Sequence, residues 1–168
     1  MLFRSPSGAF VISTASRADS KDWCSKMGAD LVLDHSADIL AQLASREIPH
    51  VDMVLSTAKS AENIGWIAKA LRPFGHMSVV DASSKLDPSV LMLKAASLHT
   101  EMVFSRILHG AAPEAHGAIL ASLAKWVTEG RIRPITTTRL EGLSAGAMKA
   151  AHTIVEAGRT IGKTVISV

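Results

Sequence analysis

Phe10-Val11-Ile12-Ser13-Thr14-Ala15-Ser16-Arg17 is the stretch that decides the fold class. Val11 and Ile12 are β-branched and suit a pleated strand. Ser16 and Arg17 form a polar turn, and helical spacing begins directly after it. Ser16 or Asp19 can cap a helix over about residues 18–27, with Trp23 and Met27 at i, i+4 on its inner face. A strand, a short polar turn and a helix in immediate succession make the repeating unit of an α/β fold.

Working outward, the same alternation continues. Gly28 supplies the left-handed residue that ends the first helix, and Leu31-Val32-Leu33 is a strand. Ile39, Leu40 and Leu43 give a helix face that Pro49 interrupts. Val51–Leu55 is a third strand, followed by Ser56-Thr57-Ala58. Ile64, Ile67, Ala68 and Leu71 fall at i, i+3, i+4, i+7. Pro73 and Gly75 are expected to stop that helix, with a fourth strand over His76–Val80 and Asp81 at its end. A short helix near 88–95 and a strand over Leu98–Phe104 follow. Pro113–Glu129 is the most regular helix, with His116, Ile119, Leu120, Leu123, Trp126 and Val127 on one face. Ile135–Leu140, Ser144–Ala157 and Thr164–Val168 read as strand, helix and strand. Ser5-Pro6-Ser7-Gly8 reads as a turn. Alternation with short connections predicts a mostly parallel sheet with helices on both faces.

Composition narrows the function classes. A chain of 168 residues can enclose one core. No apolar run approaches the ~18 residues of a membrane span, and Met1-Leu2-Phe3-Arg4 lacks the pattern of a signal peptide. A single cysteine, Cys24, excludes an internal disulfide and fits a cytoplasmic, reducing setting. The net charge is +3, the basic residues are scattered and Tyr is absent, so neither nucleic acid nor membrane is an expected partner. Without Tyr there is no catalytic Tyr–Lys pair. Without further Cys there is no four-cysteine zinc site. No two of the seven His stand at helical i, i+4 spacing, and none is read as a metal ligand. Gly-x-Gly and Gly-x-Ser-x-Gly are both missing.

Six segments carry a family resemblance. They are Val-Ile-Ser-Thr-Ala-Ser-Arg (11–17), Met-Gly-Ala-Asp (27–30), Val-Asp-Met-Val-Leu (51–55), Leu-Arg-Pro-Phe-Gly-His (71–76), Glu-Gly-Arg-Ile-Arg-Pro (129–134) and Ala-His-Thr-Ile-Val-Glu-Ala-Gly-Arg-Thr-Ile-Gly-Lys-Thr-Val-Ile (151–166). In this order they resemble the cofactor-domain half of a medium-chain dehydrogenase/reductase, closest to the zinc-type alcohol-dehydrogenase-like and quinone-oxidoreductase branch. The likeness covers about residues 10–168. It implies a partial Rossmann NAD(P)-binding domain over 1–134 and, over 135–168, a segment that in the family returns to the catalytic domain. The family's catalytic domain, where zinc ligands sit when present, has no counterpart here, and zinc is not supported by this chain. The first Rossmann strand and its Gly-rich loop also lack counterparts. In the order 3-2-1-4-5-6 that strand is central. The strands at 10–14 and 51–55 are therefore expected to have no common neighbour.

The resemblance also assigns candidate cofactor residues, each with a plainer alternative. Ser16 and Arg17 suit the 2′-phosphate of NADP(H), where an NAD-preferring fold places an acidic residue; otherwise Ser16 caps a helix and Arg17 is solvated. Ser56 and Thr57 end a strand in the crevice where α/β sheets bind ligands, or simply cap the next helix. Asp81, with Ala82, falls near the nicotinamide or is a turn carboxylate. Phe104 and Arg106 fall near the carboxamide, or are a strand-end core residue and a surface cation. Lys163 falls near the cofactor or is an edge lysine. Cys24 reads as a small buried apolar residue.

The implied function is an NADP-dependent oxidoreductase that transfers hydride to a small carbonyl, enone or quinone. This chain would be its cofactor half and inactive alone. The alternative is a non-catalytic, truncated α/β module or assembly partner, whose uncovered apolar faces predict self-association into a homo-oligomer or poor stability. A flavodoxin-like FMN domain would need a phosphate loop after an early strand, and none is visible.

Overall fold

A computed structural model describes residues 8–81 and 83–168. The turn expected at residues 5–8, except Gly8, and the Ala82 position lie outside the described residues. In chain order the elements are β1 (Ile12–Thr14), α1 (Ala18–Lys26), β2 (Leu31–Leu33), α2 (Ile39–Ala44), β3 (Val51–Ser56), α3 (Ser60–Ala70), β4 (Leu71–Val79), a 3-10 helix (Pro88–Lys94), β5 (Ser97–Thr100), α4 (Ser105–Leu108), α5 (Ala115–Thr128), β6 (Thr136–Glu141), α6 (Ala145–Glu156) and β7 (Lys163–Ser167). Every strand pairing among them is parallel. The pairings are β1-β2, β3-β4-β5 and β6-β7. The chain is thus the α/β protein with parallel strands that the alternation predicts. Among the described residues β1 pairs with β2 and β3 with β4, and β1 and β3 share no neighbour. Two compact units result: residues up to Leu33 with Gly117–Val168, and Asp34–His116.

The second unit holds the continuous core. Ile64, Ile67, Ala68 and Leu71 project from or just beyond α3, while Met77 and Val79 alternate along β4, and Leu91 adds the 3-10 helix. Ile67, Leu71 and Met77 are at most 1% exposed. Helical spacing on α3 meets two-residue spacing on β4, so both periodicities direct apolar groups to one layer. The Lys94 ammonium donates to the carbonyls of Lys69, at 2.6 Å, and Leu71. It thereby satisfies acceptors that the end of α3 leaves open.

Strand β4 starts at Leu71, not at His76 as the Pro73–Gly75 stop signal suggests. Val51 pairs with Leu71, and the next partners are Met53 and His76. Arg72–Gly75 therefore bulges out of the ladder, which accommodates Pro73 without a missing ladder donor. At Gly75 a Cβ would stand 3.0 Å from the Arg72 carbonyl oxygen and 3.1 Å from that of Asp52. The expected strand over 98–104 also changes: it ends at Thr100, and Phe104 precedes the short helix α4.

In the first unit, α1 ends at the expected Gly28, whose φ is +96°. Its N-cap position is Arg17, without a side-chain cap, rather than Ser16 or Asp19. The Asp30 carboxylate accepts the Val11 N–H at 2.8 Å and holds the entry to β1. No residue of α5 is buried, and Ile119 and Leu120 on its apolar face are 51% and 65% exposed. Arg131 instead places its guanidinium carbon 5.1 Å from the centre of a Trp126 ring.

Candidate functional site

In the second unit the carboxyl ends of β3 and β4 meet the start of α3. Ser56 closes β3, Ser60 opens α3 and Asp81 follows β4. Ser60 is fully buried. Its backbone N–H donates to one Asp81 carboxylate oxygen at 2.9 Å, and its hydroxyl donates to the other. The Ser56 and Ser60 hydroxyl oxygens are 2.7 Å apart. A carboxylate only accepts, so the single Ser60 proton goes to Asp81, and Ser56 donates to Ser60. The hydroxyl and then the N–H of Ser60 hold the Asp81 carboxyl below the usual carboxylate range. A carboxylate here also favours the positive end of the α3 dipole. Lys59, just before α3, is left-handed with φ +54°. Ser56 and Asp81 thus point into a partly buried hydrogen-bonded cluster around Ser60, and Thr57 beside them is exposed. The cluster requires Ser60, which no sequence motif marks. Phe104 is 57% exposed, and Arg106 lies exposed on α4.

In the first unit, the turn after β1 carries exposed Ser16 and half-buried Arg17. Arg17 Nε donates to Asp19 Oδ1 at 3.1 Å, and Nη2 donates to the Arg159 carbonyl oxygen at 3.1 Å. The Arg17 guanidinium is the leading cause that lowers the Asp19 carboxyl. Arg17 Nη2 also lies 3.5 Å from Asp19 Oδ2, so Asp19 engages two nitrogens of the planar fork. Sequence reasoning saw Asp19 only as a cap; its ion pair with Arg17, two residues away, was the available signal. Lys163 opens β7, where its N–H donates to the Ile135 carbonyl oxygen at 2.7 Å and its side chain is exposed. Before it, Gly162 has φ +73°, and a Cβ there would lie 2.4 Å from that same oxygen. Cys24 is half-buried. Among the described residues, no group of three His, Cys, Asp or Glu could hold a metal ion. No helix among them is long and apolar enough to cross a membrane.

The model of the zinc-binding dehydrogenase family matches residues 27–166. A zinc-type alcohol dehydrogenase-like protein of Staphylococcus aureus is 34% identical over 164 residues, 96% of this chain and 49% of that protein. A crystal structure from Rhizobium etli, described as a zinc-dependent alcohol dehydrogenase, superposes with a TM-score of 0.91 at 33% identity; the match covers 98% of this chain and 48% of that one. A structure described as an NAD-dependent alcohol dehydrogenase gives a TM-score of 0.71 at 24% identity, over 96% of this chain and 44% of that one, a likeness of fold. The chain spans about half the length of the curated relatives it matches.

Proposed function

We propose, from the premise that this chain belongs to the zinc-binding dehydrogenase family, that it is the cofactor-binding half of an NADP-dependent oxidoreductase. The observation that carries the cofactor choice is the Ser16–Arg17 turn at the end of β1. A guanidinium fork suits a 2′-phosphate, and a hydroxyl beside it adds a donor. Asp19 and the Arg159 carbonyl hold Arg17 in place before any ligand arrives. Thr57, Phe104, Arg106 and Lys163 are exposed and are candidate contacts in this reading, and Ser56 and Asp81 act through Ser60. The chain has no Gly-x-Gly turn to receive a pyrophosphate, so its hold on the dinucleotide centres on the adenosine end. When bound, the nicotinamide exchanges a hydride with a small carbonyl, enone or quinone. That reaction belongs to an assembly with a catalytic half, in the cytoplasm.

Titration of the 168-residue chain with NADPH and NADH, read by cofactor fluorescence, tests this. NADPH should bind more tightly. Arg17→Ala should weaken NADPH about tenfold or more, the loss expected for a charge-assisted hydrogen bond, and leave NADH nearly unchanged. Equal loss for both would overturn the assignment. Asp19 supports a second reading. Its carboxylate is exposed and held ionised by Arg17, and an acidic residue in this region suits the ribose hydroxyls of NAD. Tighter NADH binding that Asp19→Asn abolishes would establish that reading instead.

A further inference from the structure

We propose that His76 and His99, on the open face of the β3-β4-β5 sheet, bind a borderline divalent transition metal, Cu2+ foremost. The strand register puts two rows of side chains on this face. Met53, His76 and Ser97 are in one row; Leu55, Ser78 and His99 are in the next. The opposite face carries Val54, Met77 and Leu98 and belongs to the core. His76 and His99 are diagonal neighbours on adjacent strands, and both are exposed.

Their ring centroids are 5.8 Å apart, with the planes tilted by 50°. Metal–nitrogen bonds to imidazole are about 2.0–2.1 Å, so two rings on one ion have centroids roughly 4.5–6.4 Å apart across bond angles from about 90 to 180°. The observed spacing lies inside that range.

The His76 Nδ1 atom is 2.6 Å from the Ser97 hydroxyl oxygen. With Nδ1–H donating to Ser97, Nε2 presents its lone pair, the arrangement by which an outer hydrogen bond fixes a metal-binding tautomer. Imidazole nitrogen selects Cu2+, Ni2+ and Zn2+ over Mg2+ or Ca2+, and the stability order places Cu2+ highest. Met53 is in register with His76 and 71% exposed, so a thioether stands one strand away and adds a softer donor to the same face. Water completes the coordination.

The test titrates the purified 168-residue chain with Cu2+ against a chromophoric chelator and records the electron paramagnetic resonance spectrum. One tight ion per chain is expected, with hyperfine structure from two nitrogens. His76→Ala and His99→Ala should each weaken binding at least tenfold and leave one nitrogen. Ser97→Ala should weaken it about tenfold. His152→Ala, on α6, should leave it unchanged. Circular dichroism on each variant checks the fold, and His76→Gln gives an independent replacement at the same position. Wild-type affinity in folded His76→Ala or His99→Ala, or a one-nitrogen spectrum in the parent chain, would overturn the proposal.

Discussion

Helices α3 and α5 have similar apolar periodicity and opposite fates. α3 buries Ser60, Ile64, Ile67, Ala68 and Ala70 within its 11 residues, whereas α5 buries none of its 14. The difference lies in what packs against them. β3 and β4 bracket α3 and pair with each other in parallel, so one βαβ unit brings the helix its own sheet. β6 and β7 bracket α6 in the same way, yet α6 buries no residue, so bracketing strands alone do not bury a helix. α5 falls between such units, with α4 before it and β6 after it. Periodicity prepares a face for burial, but a partner must be supplied; for α3 it is β4 and the 3-10 helix, whose Met77, Val79 and Leu91 complete its core.

The largest effect that would break this comparison is expected at Leu71, which is fully buried at the end of α3. Leu71→Ala should cost about 2–5 kcal/mol, the range for a leucine truncated in a tight core, measured by urea denaturation. A cost below 1 kcal/mol would mean the second unit is no better packed than α5.

Asp81→Asn should give a smaller loss with a pH signature. The folded Asp81 carboxyl titrates below its unfolded value, so its ionised form favours the folded state. That contribution is present above the usual carboxylate range and fades as pH falls through the depressed folded value. The stability gap between parent and Asp81→Asn should therefore be open at pH 7 and narrow on acidification. A gap that does not change with pH would assign Asp81 a role other than capping α3.

The smallest effect is expected on α5. Leu120→Gln keeps a good helix former at an exposed site, and stability should change by no more than about 0.5 kcal/mol. Self-association, followed by sedimentation against concentration, should fall, because Leu120 is an exposed apolar residue on the helix whose Ile119, Leu123 and Trp126 line an uncovered apolar groove. A loss comparable to that of Leu71→Ala would show that this face is covered in solution.

Much of the fold was legible because it rests on local rules. The strand at Leu31–Leu33, the helix ending at Gly28 and the strand and helix bounds after residue 113 fall within a residue or two of their sequence expectations. The onset of β4 was not legible, because a bulge absorbs Pro73 and Gly75 and neither breaks the strand. The segment after Thr100 misled because Met102, Val103 and Phe104 look strand-like yet are 57–67% exposed. Of the candidate site, the place of Ser16 and Arg17 at a strand end could be read directly. The inward turn of Ser56 and Asp81 could not, since it depends on Ser60, which lies 21 residues from Asp81.

The sequence by itself determined the alternation of strands and helices, the parallel α/β class and the position of the polar turn after β1. Backbone geometry repeats every 3.6 residues in a helix and every two in a strand, so those features are written in short windows. Only the tertiary structure decided which apolar faces are covered, that Asp81 caps α3, and that His76 and His99 become neighbours across 23 residues of chain. Those outcomes depend on which strands pair and in what register. A shift of one residue would turn each side chain to the opposite face of its sheet.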